Sequence, residues 1–475
     1  MMKKISATLL PAILFVTFLP GQSITFTRTY SKGYYHDARS IVATRDGGFV
    51  FTGLLKSDAD ADGTMYLTKV NAAGAELWTR YYLRPEEDGG NHVLATRDGG
   101  FLITGHTALS YGVLCDGFVV KTDANGNEQW RSFVGGVYDD VCDAAVELPD
   151  GSFLVAGRGE ESTSSGFHML LARLNPLGVV QYQRFIPTRT PSVAYAMCWA
   201  ADGNLFLAGY SYSLSGGRDQ MLLVKCTPAG EMLWSREWGS ELHQRANAVV
   251  PMPDGGCFVA GGANDEAGTY RQMLAGRFSA SGELVASGQV MAGNGLGYLY
   301  AASVAPDGGL AVAGSWRRDE TSPGVPFYAV LNGELAVQHW QTVPLPTDCR
   351  TRCIAAMPAG GFLLAGNEFL GNEKADIFLA ALPGDAAALS ARDVSDPGNL
   401  LFPNPFHDFT YIKTGAPGQS KHLELSTPDG RTLRRLNFDA DEYILQRDDL
   451  PAGMYLLTVR AASGALLYSG KLSVE

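Results

Sequence analysis

The sequence predicts an all-β chain: a seven-bladed β-propeller closed by its own N-terminal strand, followed by a small C-terminal β-sandwich. The stretch Asp98–Gly105, DGGFLITG, recurs as DGGFVFTG from Asp46, DGSFLVAG from Asp150, DGNLFLAG from Asp202, DGGCFVAG from Asp254, DGGLAVAG from Asp307 and AGGFLLAG from Ala359. Successive copies are 52, 52, 52, 52, 53 and 52 residues apart. A period of that length, with turn residues and apolar runs in every unit, marks a stacked or radial β-repeat. An aromatic series, Trp78, Trp130, Tyr182 and Trp234, keeps the same step. Composition agrees, with 56 Gly and only 18% charged residues, which suits dense turns between buried strands.

Each unit reads as four short antiparallel strands, the blade of a propeller. In the third unit the first strand is Ala144–Leu148, and Asp150-Gly151 forms a tight turn, because Gly accepts the positive φ that such turns need. The second strand is Phe153–Gly157 and the third Met169–Leu174. Pro176-Leu177-Gly178 then turns the chain into the fourth strand, Val179–Phe185. Arg80, Arg184 and Arg236 follow their aromatics by two residues, and one period before Trp78 and Arg80 stand Phe26 and Arg28. Ile24–Tyr30 is therefore a fourth strand without a unit of its own, while the seventh unit runs out after its third strand, Ile377–Leu382. The N-terminal strand is expected to complete the last blade, which leaves no open edge.

The flanking segments differ in kind. Residues 1–23 carry Lys3 and Lys4, an apolar run Ile5–Leu19 interrupted by Pro11, and Gly21-Gln22-Ser23. This is the layout of a secretory signal peptide, and the run is shorter than the ~20 residues of a spanning helix. No later segment is long and apolar enough to span, so the mature chain is expected to lack a transmembrane segment. The repeats fill residues 24–383, residues 384–399 read as a linker of small and polar residues, and the pattern changes from Leu400. There, Leu423–Ser426 and Thr432–Phe438 form a hairpin around Pro428-Asp429-Gly430, and Leu450-Pro451-Ala452-Gly453-Met454-Tyr455 leads into Leu456–Arg460. A last hairpin around Ser463-Gly464 ends in Lys471-Leu472-Ser473-Val474. About seven short strands in this length suit a β-sandwich.

The PNPF opening at 403–406, the DGR turn at 429–431, LPAGMYLL at 450–457 and the Lys-containing last strand together resemble the C-terminal sorting domain of the bacterial type IX secretion system. The resemblance covers residues 400–475. It implies export to the periplasm, recognition of residues 400–475 by the type IX machinery at the outer membrane, and delivery to the cell surface or the medium. The Gly-rich repeats resemble seven-bladed propeller repeats of bacterial surface proteins.

The net charge of −12 argues against nucleic acid or an anionic membrane as partner, since both require a basic face. Seven cysteines in an exported chain permit disulfides. Cys115 and Cys142 emerge on the same face of neighbouring units, where a bridge fits, whereas Cys198, Cys226 and Cys257 occupy strand positions expected to be buried thiols. No Cys/His cluster has zinc spacing.

Asp58, Asp60 and Asp62 present three carboxylates at alternate positions, as hard-cation loops do. The bidentate acid of a helix–loop–helix calcium hand would fall on Lys69, which excludes that motif. The stretch reads as a solvated acidic loop, with a calcium ion completed by carbonyls and water as the alternative. Lys69, Lys121, Arg173, Lys225 and Arg277 recur at the repeat period and are expected to serve the fold.

Unlike residues accumulate only in the connections that enter each first strand, which converge on the axial mouth of a propeller. Asp37, His92, Asp140, Tyr195, Arg245 and Tyr300 are the candidate ligand contacts there, and their chemistry suits a glycan or a peptide. No HExxH, GxSxG, P-loop or dinucleotide fingerprint occurs. The function these residues predict is a noncatalytic binding module at the cell surface. The alternative is a glycan- or peptide-degrading hydrolase or lyase with carboxylates at the mouth.

Overall fold

The computed structural model describes residues 25–383, apart from 60, 84–86, 109–113, 163–164, 213–216, 240–241, 291–294, 305–309, 346, 358–359 and 372, and residues 400–474, apart from 403–408, 414–419, 428–430, 441, 449 and 463–465. The signal-peptide reading of residues 1–23, the linker 384–399, the PNPF motif and most of the DGR turn therefore lie outside the described residues.

Among the described residues there is no helix. Successive strands pair into four-stranded antiparallel sheets of the kind that build β-propellers. In the third unit these are Asp140–Glu147, Phe153–Glu160, Phe167–Leu174 and Val180–Phe185, hydrogen-bonded in chain order. The Asp-Gly turn is held by its own side chain, as the Asp150 carboxylate accepts from the Ser152 N–H at 3.0 Å while Gly151 takes φ +79. Apolar side chains pack between neighbouring sheets. Leu102 and Val119 of the second unit, for example, join Val155, Leu170 and Ala172 of the third in one buried cluster.

The first and last units share one sheet. Phe26–Tyr30 lies antiparallel to Lys374–Pro383, in a register running from Phe26 opposite Ala381 to Tyr30 opposite Ile377. The short strand Tyr35–His36 bridges Ala375 to Lys56 of the first unit. The aromatic series explains its period here, because each of its three tryptophan rings covers a turn glycine of the next unit, while the Tyr182 hydroxyl donates to the Pro228 carbonyl in the corresponding turn. A Cβ added to Gly126 would lie 2.7 Å from the Trp78 ring, one on Gly178 2.5 Å from Trp130, one on Gly282 3.0 Å from Trp234, and one on Gly74 2.6 Å from Phe26. The Tyr82 hydroxyl donates to the Gly126 carbonyl at 3.0 Å, and one period earlier the Tyr30 hydroxyl donates to the Gly74 carbonyl. Phe26 and Tyr30 thus make toward the first unit the contacts that Trp78 and Tyr82 make toward the second.

The periodic cations find their partners in the Asp-Gly turns. Lys121 reaches Asp98 at 2.7 Å, Arg173 reaches Asp150 at 2.6 Å, Lys225 reaches Asp202 at 2.8 Å and Arg277 reaches Asp254 at 2.6 Å, and Lys69 pairs with Asp46. Each pair pins the turn between strands one and two to strand three of its own unit. Their carboxylates are about half exposed, so solvent screens each pair and its contribution to stability is small. The equivalent positions in the sixth and seventh units are Val330 and Leu382.

Residues 400–474 form a three-stranded sheet (Leu400–Phe402, Phe409–Lys413, Glu442–Gln446) and a four-stranded sheet (Lys421–Ser426, Thr432–Phe438, Gly453–Ala461, Leu466–Val474). Ile412 and Leu445 of the first meet Leu423, Leu457 and Leu472 of the second in one buried cluster. In the LPAGMYLL stretch, the Tyr455 hydroxyl donates to the Pro451 carbonyl at 2.7 Å and fixes the approach to its strand. No helix among the described residues is long and apolar enough to cross a membrane.

The Cys115–Cys142 bridge that the sequence permits is not formed, and no disulfide joins the cysteines. Cys115 opens the strand Cys115–Thr122 and is half-buried, whereas Cys142 is buried in the first strand of the third unit. Its sulfur fills the space beside Gly117, where a Cβ would lie 2.7 Å from Sγ. It behaves as a small buried hydrophobe.

Candidate functional site

The first strand of nearly every unit carries a β-bulge at the same place. Register shifts fall between Gly90 and His92, Cys142 and Ala144, Ala194 and Ala196, Ala246 and Ala248, Leu299 and Ala301, and Thr351 and Cys353. The extra residues are Asn91, Asp143, Tyr195, Asn247, Tyr300 and Arg352. Arg39 holds the same place in the first unit, between bonds from the Asp37 N–H to the Leu54 carbonyl and from the Arg39 N–H to the Thr52 carbonyl. A bulge re-aims the side chain it carries.

The glycine that ends each repeated motif is what admits the bulge. The bulge pushes the carbonyl two residues upstream toward the second strand, into the space a side chain would fill. A Cβ at Gly105 would lie 1.8 Å from the Gly89 oxygen, at Gly157 2.0 Å from Val141, at Gly209 1.8 Å from Val193, and at Gly366 2.0 Å from Arg350. Gly209→Ala is therefore expected to cost about 1–3 kcal/mol or more through overpacking against backbone that cannot yield. Gly203→Ala in the same motif meets nothing within 4 Å at φ +78 and should cost only the backbone strain of about 1 kcal/mol. Urea denaturation of the two variants measures the difference, and equal midpoints would contradict this role for the mid-strand glycine.

First strands of neighbouring units lie side by side, so the bulged side chains reach from unit to unit. Arg39 donates to the Asn91 side-chain oxygen at 2.9 Å, and Asn91 Nδ2 donates to Asp143 at 3.0 Å. Asn247 Nδ2 donates to the Leu299 carbonyl at 2.7 Å, and the Arg352 guanidinium sits over the Tyr300 ring at 4.9 Å. All seven residues are half-buried and all are polar. They form a set of polar side chains, one from each repeat, drawn from Arg, Asn, Asp and Tyr.

The six residues predicted from sequence occupy strands rather than connecting loops, except Asp37. Tyr195 and Tyr300 belong to the bulged set. Arg245 lies two residues before a bulge and clamps Asp219, with Nε at 2.8 Å and a terminal nitrogen at 2.6 Å, while stacking over Tyr210 at 4.4 Å. Asp37 is buried, accepting from the Leu54 N–H at 2.6 Å and from Arg39 Nε at 2.9 Å. His92 follows the bulged Asn91 and pairs opposite Thr104; burial lowers its pKa to about 4, and its Nδ1 has no partner. Asp140 is fully buried, accepts from the Gly136 N–H at 2.7 Å, and has its pKa raised to about 6 by that burial. Glycines at 135 and 159 leave room for its carboxyl, since a Cβ at either would lie 2.1 Å from an Asp140 oxygen.

Sequence reasoning passed over Arg39, Asn91, Asp143, Asn247, Arg352 and the carboxylate Asp219. The signal that finds the first five is the glycine inside an apolar strand, which marks a bulge or a close backbone approach. Counting seven residues back from each motif start lands on the bulged residue every time. Asp219 carries no such signal. In the acidic loop, Asp58 and Asp62 are exposed, the Ser57 hydroxyl donates to Asp58 at 3.1 Å, and Asp60 lies outside the described residues.

Neither a family profile nor a curated protein matches the chain. Among solved structures the chain is similar to puromycin hydrolase, at 14% identity and a TM-score of 0.46, with 85% of this chain and 62% of that chain covered. It thus spans about three fifths of the length of that enzyme. It is similar to PorZ, an essential surface component of the type IX secretion system of Porphyromonas gingivalis, at 9% identity and a TM-score of 0.28, covering 96% and 86% of the two chains. An α-L-arabinanase of Penicillium chrysogenum complexed with arabinobiose is similar at 9% identity and a TM-score of 0.45, covering 77% and 99%. Likeness this distant transfers no activity.

Proposed function

We propose that the chain is an exported, noncatalytic binding protein: a seven-bladed propeller closed by Phe26–Tyr30, with its ligand site at the axial mouth, joined to a C-terminal sorting sandwich that addresses it through the type IX machinery to the cell surface. The observation that carries the binding reading is the set of bulged residues Arg39, Asn91, Asp143, Tyr195, Asn247, Tyr300 and Arg352. The repeated motif and its turns are kept largely alike from unit to unit, whereas the bulge presents Arg, Asn, Asp, Tyr, Asn, Tyr and Arg in turn. A specific ligand needs such an asymmetric, preorganised surface. Closure of the ring is supported by the equivalence of Phe26 and Tyr30 with Trp78 and Tyr82. The sandwich reading is supported by the apolar cluster shared between the two C-terminal sheets.

The hydrolase alternative needs two carboxylates free to act on substrate. Asp37 and Asp143 are committed to Arg39 and Arg158, and Asp219 to Arg245. Asp140 has the raised pKa of a general acid, but it is sealed from solvent and braces the turn at Gly136. Glycan-array and peptide-library binding, paired with a turnover assay on each hit, tests the reading. Binding without turnover, weakened by Asn91→Ala or Asn247→Ala, is the expected result. Turnover that disappears in Asp37→Asn or Asp140→Asn would establish the enzyme instead.

A further inference from the structure

Most arginines of the described mouth are already neutralised. Arg39 is paired with Asp37 at 2.9 Å, Arg158 with Asp143 at 2.8 Å, Arg245 with Asp219 at 2.6 Å and Arg317 with Asp348 at 3.0 Å. Arg350 and Arg352, two residues apart on the first strand of the last unit, differ. Among the described residues neither side chain has an ion pair or a hydrogen bond, and Arg350 Nε is buried without a partner. Their contacts are aromatic faces, with Arg350 over Tyr270 at 5.8 Å and over Phe369 at 4.8 Å, and Arg352 over Tyr300 at 4.9 Å.

Carboxylates on the same strand pair are engaged elsewhere. Glu368 accepts from the Thr347 hydroxyl at 2.9 Å, and Asp348 accepts from the Gly324 N–H at 2.6 Å and from Arg317. Stacking holds a guanidinium by its face and leaves its edge of N–H donors open, the geometry that grips an oxyanion in bidentate fashion. Two such cations two residues apart on one strand, without an ion pair among the described residues of a chain of net charge −12, offer an anion a counter-charge that the chain itself does not use.

We infer that Arg350 and Arg352 form an oxyanion subsite within the proposed mouth and that the ligand is an anionic saccharide, carrying a carboxylate or a sulfate ester. This rests on the reading of the mouth as a binding site. A saccharide fits better than a peptide because the bulged set contains no apolar side chain that would build a side-chain pocket. Its amides and hydroxyls match sugar hydroxyls, and the rings of Tyr270, Tyr298 and Tyr300, with centroids 4.6–6.0 Å apart, lie beside the two arginines.

The test is a glycan array carrying oligouronates, sulfated oligosaccharides and neutral oligosaccharides of matching linkage, followed by calorimetric titration of the whole chain with the strongest hit. Anionic members are expected to bind about tenfold or more tightly than their neutral counterparts. The double variant Arg350→Gln, Arg352→Gln should lose about tenfold or more of that affinity, and its thermal unfolding reports whether it folds. Independently of any variant, wild-type affinity should fall several-fold between about 50 and about 500 mM salt. Hits confined to uronates assign a carboxylate, and hits confined to sulfated members assign a sulfate ester. Equal binding of neutral and anionic sugars, or anionic binding that survives the double variant and high salt, overturns the inference. If that binding still depends on Asn91 or Asn247, the mouth stands as the binding site. Hits confined to a parallel peptide library overturn the saccharide, and no binding in either library overturns the binding reading as well.

Discussion

A chain that begins at Gly33, without the strand Phe26–Tyr30, is expected to lose on the order of 5 kcal/mol of folding stability, comparable with the whole margin of an ordinary domain. Tyr30 is 9% exposed and packs against Phe51 with ring centroids 5.6 Å apart, while its hydroxyl donates to the Gly74 carbonyl. Losing that ring alone resembles a large-to-small core truncation of about 3–5 kcal/mol. Removing Phe26 adds the uncovering of the turn at Gly74. The truncation also bares the edge of Lys374–Pro383, whose Ile377, Leu379 and Ala381 are buried, and an apolar unpaired edge invites pairing between chains. The shortened chain should therefore unfold at a clearly lower urea concentration and associate in size-exclusion chromatography. Thr27→Ala, on an exposed position of the same strand, serves as a control expected to change little. An unchanged midpoint for the chain starting at Gly33 would show that Phe26–Tyr30 is an appendage and would overturn the proposed closure.

The same strand shows what a sequence can disclose about such a fold. Its register was legible because repetition turns one observation into seven, and Phe26 stands one period before Trp78 whatever the details of the packing. Strand positions were legible for the same reason, although the first strand of the third unit runs from Asp140 rather than Ala144. The missing residues lie just before the bulge at Asp143. A bulge slips the inside–outside alternation by one, so Asp140, Val141 and Cys142 fall out of phase with the strand that follows and read as loop. The candidate site was hidden by the same slip, since Asn91, Asp143, Asn247 and Arg352 look like ordinary polar residues of a half-buried strand. The partners of the periodic cations were hidden differently. Lys121 and Asp98 are 23 residues apart in sequence and meet at 2.7 Å only because strand three returns beside the turn between strands one and two. Nothing in the spacing of Arg245 announces Asp219, because that contact crosses from one unit to the next and is made once.

Deletion of residues 400–475 is expected to abolish surface delivery while leaving the repeats folded, because the two parts depend on different contacts. The described strands of 400–474 hydrogen-bond only among themselves, and their buried cluster of Ile412, Leu423, Leu425, Leu457 and Leu472 draws no residue from the repeats. The truncated protein should accumulate in the periplasm with the melting temperature of the repeat region unchanged. Leu457→Asp in the full-length chain separates loss of a folded address from loss of chain length. Leu457 is fully buried between the two C-terminal sheets, and a carboxylate there has no partner to offset several kcal/mol of desolvation. That unit should unfold alone, and the full-length variant should be retained in the periplasm like the truncated one. Protease accessibility on intact cells, with fractionation, reads both variants. Surface exposure of either at wild-type level would mean that the address lies in the repeats or in the segment that precedes them, and the sorting role of residues 400–475 would fall.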